Sequence, residues 1–207
     1  MALQTVVKIS NVTNLSDARY CAGMSVDMLG FSMDADAPDY VDPKRFADIR
    51  QWVAGVQIVG ETTSTDPETI ETLLDTYQPD ALQIDEPALL PYLATLGKPL
   101  LLRIDLMHST LEQLAAICAT THEYVAYFLL ESRTPLHFDD DLKTALSQLA
   151  QTYPILLGAG ITADTVQTLL AELPLLGIAL RGADEDRPGS KDFGELMDVL
   201  EIIMNEE

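Results

Sequence analysis

The sequence predicts an α/β protein, a single (β/α)8 TIM barrel spanning residues 1–207. Three observations carry the prediction. Short apolar runs alternate with longer amphipathic stretches from one end of the chain to the other. The runs are nearly continuous in apolar residues and often β-branched, the pattern of parallel strands covered on both faces. The length of 207 residues suits one domain, at the small end of a fold that starts near ~200 residues. Periodicity cannot show closure, so an open doubly wound sheet stays the alternative. No linker, low-complexity segment or second domain interrupts the alternation.

Taken in order, the first strand is expected at Val6–Ile9, and Asn14 before Leu15-Ser16-Asp17-Ala18 starts the first helix. Met28–Phe31 is the second strand and Val56–Val59 the third. Their helices open at Asp42-Pro43 and Asp66-Pro67, where a capping carboxylate precedes a proline suited to the first helical position. Ala81–Ile84 is the fourth strand, and Glu86-Pro87 opens its helix with a poorer cap. Leu100–Arg103, Val125–Leu130, Ile155–Leu157 and Ile178–Leu180 complete the strands. Leu111–Thr121, Asp140–Thr152, Thr162–Leu173 and Asp192–Met204 complete the helices. The last two carry apolar residues at helical spacing: Val166, Leu169, Leu170 and Leu173, then Phe193, Leu196, Met197 and Leu200.

Composition narrows the function classes. With 33 acidic against 12 basic residues the formal charge is −21, while 47% apolar residues supply a core. So negative a surface argues against nucleic acid, whose phosphates need clustered Lys and Arg, and against docking on anionic lipid. No apolar run approaches the ~18 residues of a membrane span, and Met1 to Ser10 has neither the basic nor the apolar part of a signal peptide. Cys21 and Cys118 lie in no ligand or redox spacing, and His108, His122 and His137 define no zinc motif. The expectation is a soluble cytoplasmic protein with reduced, core-packed cysteines and no cofactor.

In a barrel the chemistry sits where strands end and βα loops begin. Those positions hold Lys8 and Ser10, the loop 32–41, Glu61, Gln83 and Asp85, Arg103 and Asp105, and Glu131 and Arg133. The last two strands end in Gly158-Ala159-Gly160 and Arg181-Gly182-Ala183. Glycine turns there suit a phosphate, because the backbone N–H groups approach an anion unobstructed; a plain strand-to-helix turn is the simpler alternative. Glu61, Asp85, Asp105 and Glu131 end four successive strands and converge on one mouth. They either hold a hard divalent metal or pair with Arg103, Arg133 and Arg181 in a rim network; the absence of a tight ligand motif favours the rim, so no metal is expected. Ser10 has no histidine beside it and no nucleophile elbow, which speaks against serine nucleophile chemistry. Asp139-Asp140-Asp141 reads as a negative first turn favoured by the helix dipole.

The segment from Lys8-Ile9-Ser10-Asn11-Val12-Thr13-Asn14 through Asp17-Ala18, with Gly23, Asp27 and Leu29-Gly30-Phe31, resembles the opening of the phosphoribosylanthranilate isomerase family. That family reads K-I-C-G-I-T-N-x-x-D-A, then G-A-D-x-x-G-F. Ala37-Pro38-Asp39-Tyr40-Val41 is similar to its S-P-R-Y-V, and Asp80-Ala81-Leu82-Gln83-Ile84 with Asp85-Glu86-Pro87 to D-x-x-Q-L-H-G-D-E, two residues shorter. Pro188-Gly189-Ser190-Lys191-Asp192 matches P-G-x-K-D. The likeness runs in register over nearly the whole chain. It implies an Amadori rearrangement of a phosphoribosylated anthranilate in tryptophan biosynthesis, with a cysteine after strand one as base and an aspartate after strand six as acid.

By the resemblance, the base position is Ser10 and the acid position Glu131, both substituted. Lys8, Asp39, Gln83 and Arg103 take substrate-binding positions, with Asp39 where the family has the arginine that helps hold the anthranilate carboxylate. Gly158, Ala159, Gly160, Arg181, Gly182 and Ala183 take the phosphate-binding positions, and Asn11 replaces the glycine after the base. The glycine-rich loop after strand six is replaced by Thr134-Pro135-Leu136-His137-Phe138. A serine hydroxyl titrates far above a thiol near ~8.5, and a carboxyl displaced by one methylene loses catalytic alignment. The expected partner is therefore a small anionic or phosphorylated metabolite, bound without efficient isomerisation, while self-association stays open. Two alternatives stand beside it: an active isomerase with Glu131 as acid and Glu61 or Asp85 as base, and a divergent, metal-assisted barrel enzyme.

Overall fold

The computed structural model describes residues 2–132, 134–136, 138–182, 185–187, 190–191 and 194–204. Ala183 of the expected anion turn lies outside the described residues, as do Arg133, His137, Phe193 and the Pro188, Gly189 and Asp192 positions of the C-terminal match.

Eight parallel strands close into a barrel in chain order: β1 (Val6–Ser10), β2 (Met28–Ser32), β3 (Gln57–Glu61), β4 (Ala81–Ile84), β5 (Leu100–Asp105), β6 (Tyr127–Glu131), β7 (Ile155–Gly158) and β8 (Gly177–Arg181). The seam between β1 and β8 runs from Val6 opposite Gly177 to Ser10 opposite Arg181, which excludes the open doubly wound sheet. Among the described residues eight α-helices follow the strands: α1 (Leu15–Gly23), α2 (Pro43–Arg50), α3 (Pro67–Tyr77), α4 (Leu90–Leu93), α5 (Leu111–Thr121), α6 (Asp140–Thr152), α7 (Val166–Glu172) and α8 (Gly194–Ile202). Asn14, Asp42, Asp66 and Asp139 each accept a backbone N–H as N-caps, and Thr110 with Gln113 forms a capping box.

Two of three local differences from the sequence reading have a physical cause in the structure. The fourth helix is split into 3-10 turns at Pro87–Leu89 and Ala94–Leu96 around the single turn of α4. Pro91 lacks the N–H an α-helix needs and its ring would crowd the carbonyl of residue 87. Helix α7 begins at Val166 because Thr165 Oγ1 accepts from Thr162 N at 2.9 Å and donates to Gly160 O at 2.7 Å, holding residues 160–165 in a turn. A short antiparallel ribbon, β9 (Glu185–Arg187) with β10 (Ser190–Lys191), follows β8.

Because successive side chains in a strand point to opposite faces, each strand serves two cores. One set, including Val7, Ile9, Leu82, Leu102, Leu130 and Leu157, packs outward against the helices. The other set, Met28, Val59, Ala81, Leu101, Leu129, Leu156 and Ala179, fills the barrel as an apolar plug. Two residues further along the same strands, and two beyond Val6 in β1, the inward positions hold Lys8, Gly30, Glu61, Gln83, Arg103, Glu131, Gly158 and Arg181. A polar layer supplied by all eight strands thus sits directly on the plug.

At the seam, a Cβ on Gly177 would stand 2.2 Å from the Val6 carbonyl oxygen. That neighbour is backbone in a hydrogen-bonded ladder and has nowhere to go. Gly177→Ala should cost about 1–3 kcal/mol by overpacking, read as a Tm about 2–10 °C lower in thermal unfolding; an unchanged Tm would show that the seam can spread.

Candidate functional site

Lys8 is fully buried, and its Nζ donates to Ser10 Oγ at 2.5 Å and forms an ion pair with Glu61 Oε1. Ser10 Oγ in turn donates to the same Glu61 Oε1 at 2.8 Å. The triangle exists because β2 contributes Gly30 beneath it: a Cβ there would lie 1.9 Å from Glu61 Oε1 and 2.9 Å from Lys8 Nζ.

Across the layer, Arg103 grips Asp85 with two nitrogens, Nε to Oδ1 at 2.8 Å and Nη2 to Oδ2, while Nη1 stands 3.8 Å from Glu131 Oε2. Burial works against the guanidinium charge, but Asp85, Glu131 and Glu61 outweigh it and hold Arg103 more firmly cationic than usual. Glu131 fits because Gly158 opposite has no side chain; a Cβ there would meet Glu131 Cγ at 2.8 Å. Burial raises the Glu131 pKa above the ordinary carboxyl value, with Glu61 adding to the rise and Lys8, Arg103 and Arg181 opposing it.

Above this layer opens a cavity of about 560 Å³. Its walls include Glu61, Gln83, Asp85, Arg103, Glu131, Gly158 and Arg181 from the strands, with Asp34, Asp36 and Asp39 from the β2–α2 loop. Asp34 accepts from Thr62 Oγ1 at 2.5 Å, Thr63 N at 2.7 Å and Thr63 Oγ1 at 2.8 Å, tying that loop to the end of β3. Arg181 Nη2 lies 3.6 Å from Asp39 Oδ2 across the rim.

The residues singled out in the sequence therefore divide. Glu131, Asp39, Gln83, Arg103, Gly158 and Arg181 share the cavity wall. Lys8 and Ser10 lie behind Glu61, both buried. In the glycine turn, Ala159 is buried, and Gly160 (φ +66°) lies under the Phe138 ring, whose Cε2 would be 2.3 Å from an added Cβ. The Gly182 N–H is already donated to Ser10 O at 2.9 Å, so it does not point at an anion. Asp105 turns away from the other carboxylates to accept from Met107 N at 2.9 Å and to meet His108 Nδ1 at 3.1 Å. The expected convergence of four acids is thus one of three, with arginine and lysine between them. Among the described residues no group of three or more His, Cys, Asp or Glu side chains is arranged to hold a metal ion, and no helix is long and apolar enough to cross a membrane. Cys21 and Cys118 are buried, and burial pushes the Cys118 thiol up to about 12.

Sequence reasoning missed Gly30, Asp34 and the role of Asn11. Gly30 carried a signal, since an isolated glycine inside a strand pattern marks a close approach. Asn11 adopts φ +60°, a left-handed conformation asparagine tolerates, and its Nδ2 donates to Gly182 O at 2.8 Å. It keeps a backbone shape that glycine would adopt and adds a tie between the ends of β1 and β8.

The fold agrees with what the chain is similar to. Solved phosphoribosylanthranilate isomerases from Thermotoga maritima and Thermus thermophilus superpose with TM-scores of 0.79 and 0.77, each 20% identical and covering 96% and 95% of this chain and 98% and 97% of theirs. Another solved isomerase, at TM-score 0.78 and 20% identity over 96% of this chain and 98% of its own, holds reduced 1-(o-carboxyphenylamino)-1-deoxyribulose 5-phosphate. In sequence, N-(5'-phosphoribosyl)anthranilate isomerase from Bordetella avium is 25% identical over 210 residues, 97% of this chain and 96% of that protein. The Thermosynechococcus vestitus isomerase is 29% identical over 202 residues, 94% of this chain and 87% of that protein. Over nearly its whole length the chain is similar to members of the phosphoribosylanthranilate isomerase family. No protein-family model matches it.

Two outcomes follow from this geometry. Lys8→Met leaves Glu61 buried without its cation and should cost about 3–5 kcal/mol in denaturant unfolding, whereas Lys8→Met/Glu61→Leu should return close to the parent stability. Equal losses in the two variants would show that Glu61 does not need Lys8. For Glu131, a folded-state pKa above the unfolded one means that the native state binds this proton more tightly than the unfolded chain does. Its charged form therefore subtracts stability, a loss absent below the ordinary value near ~4.3 and growing as pH rises through it. Glu131→Gln should be more stable than the parent at pH 7 and equal to it near pH 4, measured by thermal unfolding at both; the reverse order would contradict the burial of this carboxyl.

Proposed function

We propose that this barrel binds a small anionic or phosphorylated metabolite at its mouth and does not efficiently isomerise phosphoribosylanthranilate. One observation carries the reading. At the family's base position, the Ser10 hydroxyl accepts from Lys8 Nζ at 2.5 Å and spends its proton on Glu61 at 2.8 Å. A group so engaged, with an intrinsic pKa far above that of a thiol near ~8.5, is a poor proton acceptor for C2′ of the sugar. The rim supports the same reading: Asp39 stands where the family holds a carboxylate with arginine, and it faces Arg181 instead. The anion is assigned to the Gly158 and Arg181 side of the cavity, where glycine leaves room and the guanidinium is half exposed.

A second reading rests on the raised pKa of Glu131, which suits a general acid, with Glu61 on the same cavity wall as its base. A steady-state assay with phosphoribosylanthranilate, run beside the Thermotoga maritima enzyme, separates the two. The expected kcat/KM is about 100- to 10,000-fold lower, the worth of acid–base catalysis; a value within tenfold establishes the second reading. Arg181→Ala should weaken inorganic phosphate binding by calorimetry roughly tenfold, the loss of a ~1.4 kcal/mol contact. Unchanged affinity removes Arg181 from the anion site.

A further inference from the structure

The wall formed by β3 to β6 contains a group with unmet bonding capacity. Gln83 lines the cavity, is 5% exposed, and its Oε1 is buried without a hydrogen-bond partner. A buried polar atom left in that state destabilises the empty protein, so its retention needs a use. The last torsion of a glutamine side chain is soft and lets the amide oxygen turn toward a guest.

The neighbours of Gln83 decide which guest. Glu61 is paired with Lys8 and Asp85 with Arg103, whose Nη1 also stands 3.8 Å from Glu131 Oε2. Arg103 has Nε and Nη2 on Asp85 and Nη1 toward Glu131, leaving it poorly placed to receive another carboxylate. An incoming carboxylate would face the lone pairs of Glu61, Asp85, Glu131 and Gln83. An ammonium would have to compete with Lys8 and Arg103 for carboxylates they already hold, at the cost of its own hydration. A hydroxyl donates to the same oxygens and brings no charge with it.

We propose that the β3–β6 wall, through Gln83, Glu61, Asp85 and Glu131, recognises the hydroxyl groups of a neutral polyol or sugar moiety and rejects a carboxylate there. This rests on the reading above for its other end, so that the full ligand is a polyhydroxylated monophosphate without a carboxylate. Ligands of this kind differ from the carboxyphenyl compound held by the solved isomerase.

Calorimetry on the full chain with inorganic phosphate, ribose, ribose 5-phosphate and 3-phosphoglycerate tests it. Ribose 5-phosphate is expected to bind at least tenfold more tightly than inorganic phosphate and than 3-phosphoglycerate. Gln83→Leu should abolish most of that gain and raise Tm by about 2–4 °C, since it removes a buried amide oxygen without a partner. Ribose 5-phosphate binding no better than inorganic phosphate, or 3-phosphoglycerate binding as well, overturns the hydroxyl wall and leaves the anion reading standing. Ribose binding as tightly as its phosphate overturns the anion reading alone, and silence toward all four overturns both. A folded Gln83→Leu variant with unchanged affinity removes Gln83 from the wall.

Discussion

One buried ammonium organises the upper half of this barrel. Lys8 has no access to water, and a charge in that position costs several kcal/mol unless another charge and hydrogen bonds meet it. Glu61 and Ser10 supply them, and Gly30 supplies the space. The four residues come from three adjacent strands, β1, β2 and β3; removing Lys8 or Glu61 alone leaves a naked charge, and a side chain at Gly30 makes a clash. Ser10 is therefore part of a structural unit: its hydroxyl both receives from the lysine and donates to the carboxylate, which gives the triangle a third side.

Most of the architecture was legible because apolar strands and capping residues are local signals. The runs around Leu29, Leu82, Leu102 and Ile178 lie in strands within a residue or two of their expected ends. Asp42 and Asp66 cap the helices they precede. The failures were also local in cause: Pro91 broke a helix whose pattern was otherwise adequate, and Thr165 traded a helical turn for side-chain bonds. The site was legible as a set of strand ends and not as a set of contacts. Lys8, Glu61, Gln83, Arg103 and Glu131 can be named from sequence. That Lys8 chooses Glu61, that Arg103 chooses Asp85 and that Asp105 turns away depend on strand register and loop direction, which no spacing encodes.

The acidity of the chain takes on a local meaning at the mouth. The cavity wall carries Asp34, Asp36, Asp39, Glu61, Asp85 and Glu131 against Arg103 and Arg181, so the excess negative charge of the molecule extends into the barrel mouth. Pairing with Lys8, Arg103 and Arg181 softens that field without reversing it. A guest with two separated anionic groups meets repulsion at one end wherever the other docks.

The three hydrogen bonds that Asp34 receives from Thr62 and Thr63 have a consequence for binding energetics. They join the two loops that form one wall of the mouth before any guest arrives. The ordering entropy of that wall is met during folding, and association does not have to supply it again. A ligand with few contacts can then be held with useful affinity, which suits a small metabolite better than a large one that must draw a mobile lid over itself.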